Sequence, residues 1–200
     1  ETFLGYVETH KSRIDEAGMS SAEFGLNGKV NDYFHPENLR EVIAARNYIA
    51  SQACDSVERA LVLSAFLHIL HGNRPYALSR TSHPVTPFKP TGDFEYRDFA
   101  SRTKAKVNRA VGSYPLFGNE SQRGRATLGS FEKLEYSNEI DAVITSPPFA
   151  ASTRFYIANW MRLWAAGWGP EDFANRKVEF IEEKQKKDFG IYSEFFESAS

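Results

Sequence analysis

The chain has 200 residues, of which 42% are hydrophobic and 25% charged, a composition within the normal globular range that does not indicate disorder and supplies one domain, or a domain with a smaller partner. The single cysteine, Cys54, excludes an internal disulfide, and no apolar run approaches the roughly 18 residues of a membrane span, so a soluble cytoplasmic chain with no membrane partner is expected. A net charge of -2 gives no bulk signal for a polyanionic partner. The abrupt opening at Glu1-Thr2-Phe3, without initiator Met or leader pattern, reads as a piece of a longer protein.

Residues 1 to 34 scatter aromatics and the glycines Gly18, Gly25 and Gly28 without a sustained period, and read as loop and short elements. Pro36 suits a first helical turn, and Leu39, Val42, Ile43, Tyr48 and Ile49 then recur largely on one helical face. A second helix opens at Asp55-Ser56-Val57-Glu58, with Asp55 as the expected cap, and runs through Leu61 and Leu70 to Gly72. Its apolar residues nearly encircle it, which predicts burial.

Pro75, Pro84, Pro87, Pro90 and Gly92 exclude a long helix or a central strand over 73 to 92. A basic helix is predicted from about Phe94 to Val111, then a glycine-rich stretch from Gly112 to Gly129 read as flexible. Ala126 to Leu134 reads as a short strand, and the β-branched run Ile140 to Thr145 as a buried parallel strand. Aromatic and aliphatic residues at helical intervals fill Arg154 to Trp168, and Glu171 to Asp188 is a helix-compatible charged tail.

Charge is unevenly distributed along this path. Between Arg74 and Arg125 there are ten Lys or Arg against four acids. Such an excess lines a phosphate backbone or forms a solvated helix face. Arg80, His83 and Lys89 are candidate phosphate contacts in the proline-rich loop, with packing of that loop across a helix as the alternative. Arg102, Lys104, Lys106 and Arg109 offer a basic helical face. His68 and His71 lie three apart, but two ligands among leucines and isoleucine do not make a metal site.

The segment that carries chemistry is Thr145-Ser146-Pro147-Pro148-Phe149 at the end of the predicted strand. Loops at the carboxyl ends of strands in open sheets face the ligand crevice. Two prolines remove two backbone donors, leaving carbonyls free to accept from a ligand. The Ser146 hydroxyl beside such a carbonyl suits both protons of an exocyclic amine, and Phe149 suits stacking on the ring that bears it.

Asp141 to Phe149 resembles the catalytic motif of the amino DNA methyltransferases, in which Asp, Asn or Ser precedes Pro-Pro and then Tyr or Phe. Ser in the first place resembles the N4-cytosine branch more than the N6-adenine branch. Tyr33 to Leu39, Leu78 to Phe88 and Ser152 to Trp164 also resemble segments of large bacterial and phage-associated DNA methylases, so the likeness covers roughly residues 31 to 170. It implies a partial Rossmann-like α/β methyltransferase with a large helical portion: a helical segment over 1 to 125, and part of the catalytic domain over 126 to 200. It implies methyl transfer from S-adenosylmethionine to the exocyclic nitrogen of a flipped DNA base, as in restriction-modification. Ser146, Pro147, Pro148 and Phe149 would form the catalytic turn, with Ser146 and Pro147 also at the cofactor, and Arg154, Tyr156 and Asn159 would border the base pocket.

One departure tempers the match. The family's glycine-rich cofactor segment is missing, and Gly25-Leu26-Asn27-Gly28 has neither its spacing nor a β run before it. The remainder of a longer methyltransferase chain is then an expected partner. The rival expectation is a noncatalytic DNA-binding or assembly subunit that keeps the turn.

Overall fold

A computed structural model of the chain describes residues 2–51, 56–82, 89–113, 144 and 155–176. Among them are eight α-helices: α1 (Phe3–His10), α2 (Glu16–Ser20), α3 (Pro36–Ser51), α4 (Val57–Ile69), α5 (Phe99–Gly112), α6 (Phe155–Ala158), α7 (Trp160–Ala165) and α8 (Pro170–Asn175). Single 3-10 turns, Lys11–Arg13, Ser21–Glu23 and Val30–Tyr33, fill the stretch between α1 and α3.

Side-chain caps place half of the helix starts. The Thr2 hydroxyl accepts the Gly5 N–H at 3.2 Å, the Asp15 carboxylate that of Gly18 at 2.7 Å, and the Asp98 carboxylate that of Ser101 at 2.6 Å. Each bond satisfies a donor that a helix start leaves open, typically for about 1 kcal/mol. The Asp98 cap explains why the basic helix starts at Phe99 rather than near Phe94. In α4 the cap is Ser56, which accepts from the Arg59 N–H at 3.3 Å, and not the expected Asp55, which lies outside the described residues.

α3 is central. Its predicted face buries Leu39, Val42 and Ile43 together with Ala44 and Ala45, while Tyr48 and Ile49 are half-buried at the margin. Phe3 and Val7 of α1 close one side, with Phe3 meeting Tyr48 edge-on at 5.4 Å between ring centres. Phe66 of α4 and Phe99 of α5 complete an aromatic group around Phe3. Trp160, Met161 and Trp164 of α7, with Phe173 of α8, cover the other side. Aromatic rings of this size dominate the apolar area removed from water. Helices on both sides of residue 125 therefore share one core.

The structure corrects two expectations. α4 is not buried all round: Ala65, Phe66 and Ile69 face inward, whereas Val57 is 81% exposed. The α/β Rossmann-like class is overturned as well, because the described residues are helical and contain no strand or sheet, only an isolated antiparallel bridge between Thr81 and Thr91. The physical reason is periodicity. Apolar residues of the described chain recur every three or four positions, which buries one stripe of a helix, while the expectation of a sheet rested on two short runs and on the resemblance carried by Asp141 to Phe149. Of those runs, Ala126 to Leu134 lies outside the described residues, and Ile144 alone of Ile140 to Thr145 is described, in no regular element. The glycine-rich stretch beyond Ser113 and the tail beyond Arg176 also lie outside them.

Gly25 and Gly28, which lack the spacing of a cofactor motif, serve a turn closed on itself. A Cβ at Gly25 would lie 1.6 Å from the Gly28 carbonyl oxygen, and Gly28 has φ of 126°, where side chains are strained. This turn does not fit a cofactor cradle. No helix among the described residues is long and apolar enough to cross a membrane.

Candidate nucleic-acid interface

The turn expected to be catalytic, Ser146, Pro147, Pro148 and Phe149, lies outside the described residues, as do His83 and Arg154. Of the other sequence-predicted site residues, Arg80 is an internal strut. Its Nε donates to the Gly92 carbonyl at 2.8 Å, one terminal nitrogen donates to the Asp32 carbonyl at 3.1 Å and the other again to Gly92. Its guanidinium stacks 4.4 Å from the centre of the Phe94 ring. Tyr156 is buried in the core. Asn159 separates α6 from α7, and its side-chain oxygen accepts from Arg162 at 2.8 Å.

Tyr33 relates these positions. Its carbonyl accepts the Arg80 N–H at 2.8 Å, and its ring meets Trp160, the neighbour of Asn159, edge-on at 5.7 Å. Arg80 and the start of α7 thus flank one residue.

A buried polar group beside α3 escaped sequence reasoning. Asn38 is fully buried, donates to Glu41 at 2.9 Å, and pairs both ways with the Arg97 backbone, at 2.6 and 2.9 Å. Glu41 also accepts from the Tyr96 hydroxyl at 3.2 Å and faces the Lys11 ammonium at 3.5 Å. Burial pushes the Glu41 carboxyl up, against the opposing pull of Asn38, Lys11 and Tyr96. The group ties α3 to the segment before α5. Its members are 59 residues apart, so no local pattern announced it.

Several basic residues of the central run are held internally in the same way. Arg97 donates to the carbonyls of Ala77 and Ser79 at 2.6 and 2.7 Å, and Arg102 to that of Pro75 at 2.7 Å. These carbonyls belong to irregular backbone without a helical or ladder donor, and buried carbonyls need one.

Another set of cations is held differently. Near the end of α4, His68 stacks on Tyr76 with ring centres 5.0 Å apart, and its Nε2 shares a hydrogen bond of 2.8 Å with the Tyr76 hydroxyl. Partial burial pushes the His68 imidazole below its ordinary value, and the positive charges of Lys106, Arg162, Arg109 and Arg74 push it the same way. Arg102 of α5 donates to the Pro75 carbonyl, between Arg74 and Tyr76, so α5 and the loop after α4 meet beside this pair. Arg162 donates to the Leu67 carbonyl at 3.0 Å, while Arg74, Lys106 and Arg109 have no acidic partner among the described residues. Beside the pair runs a groove of about 410 Å³ lined by Ala60, Leu63, Ser64, Leu67, His68 and Arg162. The basic run could have pointed to Arg74, Lys106 and Arg109; nothing local points to their meeting at His68.

His71, three residues on, is buried among apolar groups with its Nδ1 unpartnered. Burial, then the charge of Arg162, holds its pKa down at about 3. It is neutral at physiological pH. Among the described residues no group of three or more His, Cys, Asp and Glu is placed to hold a metal ion. Comparison of the chain with protein-family models, with curated proteins and with solved structures gives no match.

Proposed function

We propose that the chain takes part in S-adenosylmethionine-dependent methylation of an exocyclic amine in DNA, N4 of cytosine in preference to N6 of adenine. The observation that carries this reading is the sequence Asp141 to Phe149, an apolar run emptying into Ser146-Pro147-Pro148-Phe149. Ser146 and the Pro147 carbonyl hold the amine, and Phe149 stacks on the base. The base leaves the duplex because its amine is otherwise paired and stacked. The helical body serves as scaffold and as a surface for the substrate's phosphates. The Gly25–Gly28 turn does not cradle the methyl donor, and no step is assigned to it at the cofactor.

The test is transfer of labelled methyl from S-adenosylmethionine to DNA, with nucleoside analysis, using the full-length gene product and these 200 residues side by side. Label in N4-methylcytosine or N6-methyladenine is the expected result, and Ser146→Ala and Phe149→Ala should each lower the rate by about 100-fold or more while the fold persists. Undiminished transfer in both variants removes the pocket assignment. A second reading, a noncatalytic DNA-binding subunit, is favoured by one observation, the Gly25–Gly28 turn, which closes on itself and leaves no room for a cofactor phosphate or sugar between its glycines. No label from the full-length product would select it.

A further inference from the structure

We infer that Arg74, Lys106 and Arg109, gathered around the His68–Tyr76 pair, form a contact for the phosphate backbone of duplex DNA. The inference rests on the proposed reading only for the choice of polyanion. Its physical basis is a division among the basic residues of the central run. Arg80, Arg97 and Arg102 are engaged with backbone carbonyls of their own chain. Arg74 and Arg109 are exposed, Lys106 is half-exposed, and none has an acidic partner among the described residues.

Lys106 and Arg109 lie three apart on α5 and so share a face. Arg102, one turn before Lys106 on the same face, donates to the Pro75 carbonyl at 2.7 Å, which brings the loop carrying Arg74 beside that face, and Tyr76 of the same loop stacks on His68. Like charges at this spacing repel one another, and an arriving polyanion reverses that repulsion. Duplex DNA presents one negative charge per roughly 1.7 Å of axis, dense enough to meet a cluster of cations together. The exposed edge of Tyr76 and the adjoining groove, whose wall is largely apolar with the Ser64 hydroxyl, suit the sugar between phosphates. An acidic protein segment carries less charge per length and fits the cluster less well.

The test is fluorescence anisotropy of a labelled 20-base-pair duplex with the chain over a range of salt concentrations. Lys106→Ala/Arg109→Ala should weaken binding about tenfold or more at low salt and reduce the slope of log affinity against log salt by about 2. The charge-matched control Arg13→Ala/Arg40→Ala, which leaves the face intact, should change affinity less than twofold. Arg74→Ala, outside α5, repeats the test if the double substitution unsettles the helix, with circular dichroism as the check. Equal losses in the two double variants, no binding by the unaltered chain, or preferential binding of poly-glutamate would each overturn the inference. Selective loss of DNA binding in a protein that transfers no methyl would reject the catalytic reading and leave this surface standing.

Discussion

The two halves of α5 carry similar side chains to opposite ends. In the first turn, Phe99 and Thr103 are buried, and Arg102 reaches the carbonyls of the proline-rich loop at 2.7 and 3.3 Å. In the second half the helix is largely exposed, and Lys106 and Arg109 have no acidic partner among the described residues. What separates them is the supply of acceptors. Irregular backbone across from the first half has orphan carbonyls, whereas the end of α4 offers an imidazole and no carboxylate. A basic residue is thus structural or available for a partner according to what faces it, and a count of charges along the chain cannot tell the two apart.

Removing an internal guanidinium should produce the largest effect on stability. Arg97→Ala leaves the Ala77 and Ser79 carbonyls without their donor, and should cost about 3 kcal/mol in urea denaturation. A loss below about 1 kcal/mol would break the distinction between the halves. His71 sharpens it next. Its pKa is about 3 in the folded chain and near 6.5 unfolded, so the unfolded state binds more protons between these values. Stability is therefore full above pH 6.5 and falls as the pH drops toward 3, by about 2 kcal/mol at pH 5. His71→Leu should abolish that dependence; identical urea midpoints for the unaltered chain at pH 7 and 5 would refute it.

Arg80→Ala should cost about 1 to 2 kcal/mol through the lost bonds to Gly92 and Asp32, with little direct effect on DNA affinity. If affinity fell while stability held, Arg80 would belong with the available cations after all. The smallest effect is expected from Lys106→Ala/Arg109→Ala, within about 0.5 kcal/mol by thermal or urea unfolding, since both sites are solvent-facing and alanine favours the helix.

The sequence was most informative where one helix buries one stripe. Leu39, Val42 and Ile43 of α3, and Trp160, Met161 and Trp164 of α7, fall inside as their spacing requires. It was least informative where distant segments exchange hydrogen bonds. Asn38, Glu41, Tyr96 and Lys11 each read as ordinary surface residues, and only the tertiary fold joins them. The β-branched run at Ile140 to Thr145 drew the fold class toward a sheet, while the described chain follows the helical period. The proposed catalytic turn is legible as sequence alone, and Arg80 shows how a basic residue can be held by geometry instead.

The indole of Trp164 donates to the Ser21 carbonyl at 3.1 Å, and the Trp164 carbonyl accepts from Arg46 at 2.9 Å while the Arg46 guanidinium lies over the same ring. These bonds bridge 143 and 118 residues, a closure whose entropy is about 4 kcal/mol by chain-length scaling. During translation, the seat for α7 is ready long before its occupant. At 5 to 20 residues per second, the nascent helices wait on the order of ten seconds between Arg46 and Trp164 with apolar surface uncovered. A ribosome stalled in that interval would display an open-sided bundle, a target for chaperones and proteases, and Trp164 would act as the latch that ends this exposure.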